Sequence, residues 1–166
     1  MMTSETLLPE YDEEMASTRK VLEQVPDDKL GWAPHEKSMS LGRLAGHIAQ
    51  IAEWATQILR TEHLKLDASY LPFIASSRDE LVKKFESWRD EARAEITKAS
   101  DADLGKIWKM DWSGQTIIEM PRHAVIRSMV MNHMIHHRGQ LTVYLRLLGA
   151  RVPGVYGPSA DEMPAQ

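Results

Sequence analysis

The sequence predicts an all-α fold, a four-helix bundle with a short hairpin-like excursion before its last helix. Three observations carry that expectation. Four long stretches repeat apolar residues at steps of three and four, the helical period. The connections between them are short and carry Pro, Gly and Ser. A single stretch, residues 107–118, breaks the period with aromatic and β-branched residues around Ser113-Gly114. At 166 residues the chain is long enough to bury a sizeable core, and residues 1–166 are expected to form one domain.

The first helix is expected over about 5–25, where Leu8, Tyr11, Met15, Thr18, Leu22 and Val25 form one stripe. Residues 26–34, bounded by two prolines, end it. Ser38 or Ser40 suits the N-cap of a second helix, whose stripe is Leu41, Leu44, Ile48, Ile51, Ala55 and Ile58. Residues 67–76 connect to a third helix. That helix opens at Ser77-Arg78-Asp79-Glu80, which reads as a capping box, and carries Leu81, Phe85, Trp88, Ala92, Ile96 and Ala99 on its apolar face. Pro121 suits the first turn of a fourth helix. Gly149 ends it. Residues 151–166 have no periodicity.

Composition narrows the function. Net charge is −4 with both signs interspersed, and no basic patch points to nucleic acid. No apolar run approaches the roughly 20 residues of a membrane span, and residues 1–12 are acidic without an apolar signal core. The expected location is the cytoplasm. With no cysteine there is neither a disulfide nor a thiolate nucleophile or ligand. No Ser-His-Asp set, phosphate-cradling glycine loop or paired-carboxylate arrangement is legible, and His-Glu-x-x-His is absent because position 134 is Met.

The informative residues are histidines. His133 and His137 are four apart and share a helical face. At about 100° per residue they fall in one stripe with Ile126, Val130, Leu141, Tyr144 and Leu148. Two imidazoles inside an apolar stripe need partners. Water or neighbouring side chains are one answer. A divalent cation is the other, because neutral imidazole is a metal ligand. A catalytic metal commonly has three protein ligands. His35 lies in a loop, His63 at the frayed end of the second helix and His123 in the first turn of the fourth. His136 points about 100° away from His137. His47, inside the second helix at the edge of its stripe, is the best-placed third ligand. The expected metal site is His47, His133 and His137.

The stretch Lys37-Ser38-Met39-Ser40-Leu41-Gly42-Arg43-Leu44-Ala45-Gly46-His47-Ile48-Ala49 resembles the second helix of the DinB/YfiT-like superfamily. Asn132-His133-Met134-Ile135-His136-His137-Arg138-Gly139-Gln140-Leu141, followed by Tyr144-Leu145-Arg146, Leu148-Gly149 and Pro153, resembles its fourth. Tyr156-Gly157-Pro158-Ser159-Ala160-Asp161 extends the likeness. The resemblance implies an up-down-down-up bundle, often a homodimer. It also implies zinc or nickel held by three histidines, here His47, His133 and His137. Characterised members of the superfamily include thiol transferases using bacillithiol or mycothiol and a mycothiol-dependent maleylpyruvate isomerase.

Together these point to a metal-dependent enzyme that conjugates a low-molecular-weight thiol cosubstrate to a small electrophilic substrate. The alternatives are a metal-dependent hydrolase using metal-bound water and a non-catalytic stress-associated bundle with a structural metal. Met129, His136, Val143 and Leu147 form a second stripe on the fourth helix, which one bundle core does not use. A homodimer is expected to cover it, unless the 151–166 tail or the 107–118 excursion does. Trp32, Trp54 and Trp88 read as packing anchors, Trp108 and Trp112 as candidates for a pocket mouth, Tyr144 as core and Arg138 as structural.

Overall fold

A computed structural model of the protein describes residues 4–163. Helix α1 (Ser4–Leu22) buries Leu7, Tyr11, Met15 and Thr18 along one face. Helix α2 (Leu41–Arg60) starts where Ser40 accepts a hydrogen bond from the Arg43 amide at 3.3 Å. Its small residues Ala45, Ala49, Ala52 and Ala55 are fully buried, and α2 packs more extensively against α3 (Arg78–Lys98) than against any other element. Ser77 caps α3 by accepting from the Glu80 amide at 3.1 Å. The Glu80 carboxylate does not close the expected box. It turns to the amide and hydroxyl of Ser76, at 2.7 and 2.6 Å. A complete capping box opens the short helix α4 (Asp101–Gly105), between Ser100 and Asp103.

The all-α expectation is overturned by a three-stranded mixed sheet. Strands β1 (His63–Leu66), β2 (Ile107–Trp112) and β3 (Gln115–Pro121) lie in that order. The expected hairpin is β2–β3, joined by Ser113-Gly114, whose φ angles of 49° and 84° match the twist of a two-residue turn. The unexpected member is β1, which pairs parallel with β2, Leu64 opposite Met110. Four residues directly after a helix carry too short an alternation to announce a strand. Their partner lies more than forty residues on, so the pairing is tertiary. The fold is therefore helix-rich with a small sheet, not an all-α four-helix bundle.

The last helical stretch is one rod in three parts: α5 (Arg122–Val125), a π-helical segment (Ile126–Asn132) and α6 (His133–Leu147). Gly149, at φ 70°, leads the chain out. A π turn holds one residue more than an α turn, so every face after it is shifted. The buried residues of the rod beyond Val130 and Met131 are Met134, Arg138, Leu141 and Leu145. His133 and His137 sit beside that line, half-buried, rather than at its centre. No described helix is long and apolar enough to cross a membrane.

Arg138 is structural and deeply buried, 2% exposed. It forms an ion pair with Glu14 at 2.7 Å and donates to the Glu14 carbonyl and the Thr18 hydroxyl. Its other donor goes to the Tyr156 hydroxyl, which in turn donates to the Glu14 carboxylate. The aperiodic segment after Gly149 is thereby tied to α1 and α6.

Gly46, just before His47, lies against the 67–75 connection. A Cβ there would stand 2.6 Å from the Phe73 carbonyl oxygen, which is backbone and cannot swing aside. Gly46→Ala is expected to lower stability by about 1–3 kcal/mol, outweighing alanine's helix propensity. Gly105→Ala, with nothing within 4 Å of the added carbon, is the neutral control. Denaturation midpoints of the two variants check this.

Candidate metal centre

One face of α2 carries Arg43, His47, Gln50, Trp54 and Gln57 at alternating steps of four and three. Its opposite side enters the core. The π-helical segment sets α6 so that its first turn presents His133 and its second His137 toward that face. The structure brings the three histidines together. Nε2 of His133 lies 2.8 Å from Nε2 of His137 and 3.4 Å from Nε2 of His47. Among the described residues these three form a group able to hold a metal ion, with ligand atoms all within 4.8 Å of one another. A tetrahedral cation with bonds of ~2.0–2.1 Å spaces its ligand nitrogens by about 3.3 Å, a spacing that His47 and His133 match at 3.4 Å and that His133 and His137 undershoot at 2.8 Å.

The protonation pattern fits a cation. His137 Nδ1 donates to the Gln140 carboxamide oxygen at 2.7 Å, which leaves the lone pair of a neutral ring on Nε2. His133 Nδ1 is buried beside the Met129 carbonyl, which bears on it electrostatically but lies outside hydrogen-bond geometry. Burial lowers the proton affinity of all three rings. It is the largest cause for His47, pushed down to about 4, with the neighbouring charges of His137, His133 and Arg43 adding to it. His133 and His137 are lowered for the same first reason, and the Gln140 hydrogen bond partly opposes it at His137. Neutral imidazoles are what a metal needs.

Comparison with known proteins decides the family. A family model described as the DinB family matches residues 1–166. The chain belongs to the DinB family. It is 28% identical over 165 residues to the "Uncharacterized protein YrdA" of Bacillus subtilis (strain 168), covering 96% of this chain and 92% of that one. It resembles the crystal structure of a DinB-like protein from Bacillus cereus ATCC 10987 with a TM-score of 0.71 and 26% identity, over 92% of this chain and 97% of that one. The DinB-like protein YjoA of Bacillus subtilis shares the fold, with a TM-score of 0.67 at 19% identity over 92% and 98% of the two chains.

In this DinB chain one of the three histidines, His47, lines a cleft of about 580 Å³. α2 is one wall. The sheet is the other, through Leu64 and Leu66 of β1, Trp108, Met110 and Trp112 of β2, and Ile118 of β3. Trp108 and Trp112 thus line a pocket, as their setting in the sequence suggested. Trp54 is more than a packing anchor: it lines the cleft and meets the His47 ring at 5.7 Å and the His133 ring at 5.5 Å, centroid to centroid. Sequence reasoning passed over Trp54, Arg43 and Gln140. The last two were findable, since they stand four residues before His47 and three after His137, the spacing of neighbours on a helix.

The other histidines stay apart. His136 is exposed and only edges the His137 ring, at 4.9 Å. His63 sits on β1 rather than at a helix end, 2.9 Å from the Asp111 carboxylate. His123 Nδ1 meets the Leu104 carbonyl at 3.0 Å, and His35 accepts from the Lys37 amide.

A pH dependence follows for the metal-free DinB chain. The three rings are harder to protonate folded than unfolded, so their burial favours folding above the unfolded value of about 6.5. As pH falls from about 6.5 toward 4, the His47 value in the fold, the unfolded chain takes up the protons and stability is lost. The melting temperature should fall across that window, and fall less in His47→Gln. Calorimetry of both proteins with chelator present checks it.

Proposed function

We propose that the protein is a metal-dependent transferase that conjugates a low-molecular-weight thiol to a small electrophile, using a zinc or nickel ion held by His47, His133 and His137. The supporting observation is the convergence of three Nε2 atoms beside an apolar cleft that His47 lines. Imidazole suits both metals. When bound, the metal supplies a Lewis acid that lowers the pKa of a thiol at its open position. The remaining work belongs to the chain. Gln140 orients His137, Trp54 shields two of the rings, and the cleft receives the electrophile. Overall the thiol proton leaves to solvent, a sulfur–carbon bond forms, and the leaving group departs with the electrons of the bond it breaks. A chain without cysteine has no thiol of its own to compete with the cosubstrate. The reaction belongs in the cytoplasm, where small thiols stay reduced.

Three measurements test this reading. Elemental analysis under non-chelating conditions should find about one divalent metal per chain in the wild type and in His136→Ala. The variants His47→Ala, His133→Ala and His137→Ala should lose most of it while keeping helical circular dichroism, because four apolar stripes supply a core without the metal. Mass spectrometry of the loaded protein with thiols and electrophiles should show the conjugate. Ester hydrolysis without thiol, or full metal in His47→Ala, would overturn the assignment.

We further propose a homodimer through α6. Val143 and Leu147 are 57% and 62% exposed, so neither the tail nor the hairpin covers them, and His136 lies on the same face. Light scattering at micromolar concentration should give about twice the 18.9 kDa chain mass, and Val143→Glu should return a monomer.

A further inference from the structure

The lining of the cleft is more selective than metal binding requires. Arg43 lines it one helical turn before His47, about 6 Å along the axis of α2. Its guanidinium has no hydrogen-bond or ion-pair partner among the described residues, so its donors face the cleft unanswered. The acid that lines the same cleft, Glu53, stands about 15 Å farther along the helix and is held by Gln57 at 3.3 Å. The cleft is therefore positive at the histidine end and negative at a distance from it. The rest of the lining is mostly carbon, from Trp54, Ile58, Leu64, Trp108, Met110 and Ile118. Two polar groups that a sugar or peptide would need are already engaged. The Gln50 oxygen accepts from the Phe73 amide at 3.0 Å, and the Trp108 indole donates to Thr61 at 3.0 Å. One unpaired cation suits a single negative charge and would leave a polyphosphate largely unneutralised.

The geometry points to a substrate class: an amphiphilic monoanion, an aryl or long-chain alkyl carboxylate. Its acid group pairs with Arg43 beside the histidines, and its apolar body lies between Trp54 and β2. The volume of about 580 Å³ accommodates such a body with room for a second reactant at the histidines. This assignment rests on the proposed function only in taking the cleft for its substrate site, and binding can be read without turnover.

The test measures affinity of the full-length chain for naphthylacetate, the neutral naphthylethanol and the cationic naphthylethylamine, by calorimetry and by the indole N–H signals of Trp54, Trp108 and Trp112. Each titration is run metal-loaded and after chelation. With the metal removed, the acid should bind about tenfold or more tightly than the alcohol, as a charge-assisted pair predicts, and should shift the three indoles. Arg43→Gln should bring acid and alcohol to parity, and Arg43→Glu should invert the order toward the amine. Arg43 is exposed, so neither change disturbs the core. Equal binding of all three probes, unmoved indoles, or a preference that survives in Arg43→Gln would overturn the assignment. A chain that binds the acid through Arg43 but takes up no metal loses the transferase reading and keeps this one. A chain that takes up metal and shows no preference does the reverse.

Discussion

Three imidazole lone pairs cannot face one another in a half-buried pocket unless a proton or a cation answers them. Much of the local structure serves that constraint. The 2.8 Å approach of His133 and His137 is set by their spacing on α6, and Gln140 keeps the His137 proton on the far side of the ring. His47 is carried in on a helix whose neighbouring residue is glycine because the Phe73 backbone passes directly over it. Trp54 packs its ring against His47 and His133.

Pointing α6 at α2 depends on a second set of polar groups, buried except for Tyr156. Arg138 follows His137 directly and faces the other way, into Glu14, Thr18 and Tyr156. Removing one partner of such a pair strands a charge away from water, at a cost of about 3–5 kcal/mol. The rod is therefore pinned in rotation: if Arg138 enters the α1 side, His137 must emerge on the α2 side. The tail after Gly149, which has no periodicity of its own, contributes to this lock through Tyr156. The π-helical segment upstream makes the two demands compatible by moving the apolar line of the rod by one residue.

The small sheet gives the histidine cluster a cleft beside it. Without β1 and the hairpin, the Arg43–Gln57 face of α2 would lie open to solvent. With them, it looks across at indole, thioether and aliphatic carbon. Trp108 and Ile118 are both buried, so the sheet belongs to the core as well as to the cleft. The His47 side of the cleft is thus bordered by apolar surface, where charge interactions are stronger than in water.

The sequence by itself determined the four long helical stretches, the capping residues Ser40 and Ser77 and the candidate histidines, because these depend on neighbours three or four residues away, although it missed the short helix α4 and its own local capping box. The stripes of α1, α2 and α3, the Ser40 and Ser77 caps and the shared face of His133 and His137 are all local. The β2–β3 hairpin was legible for the same reason, its turn being two residues. Tertiary structure alone decided the rest. β1 became a strand because β2 offered it a partner. The two histidines moved from the middle of the apolar line to its edge because a π turn cannot be read from periodicity that assumes 3.6 residues throughout. Trp54, an ordinary helical tryptophan in the sequence, became a wall of the site only when α6 brought His133 against it.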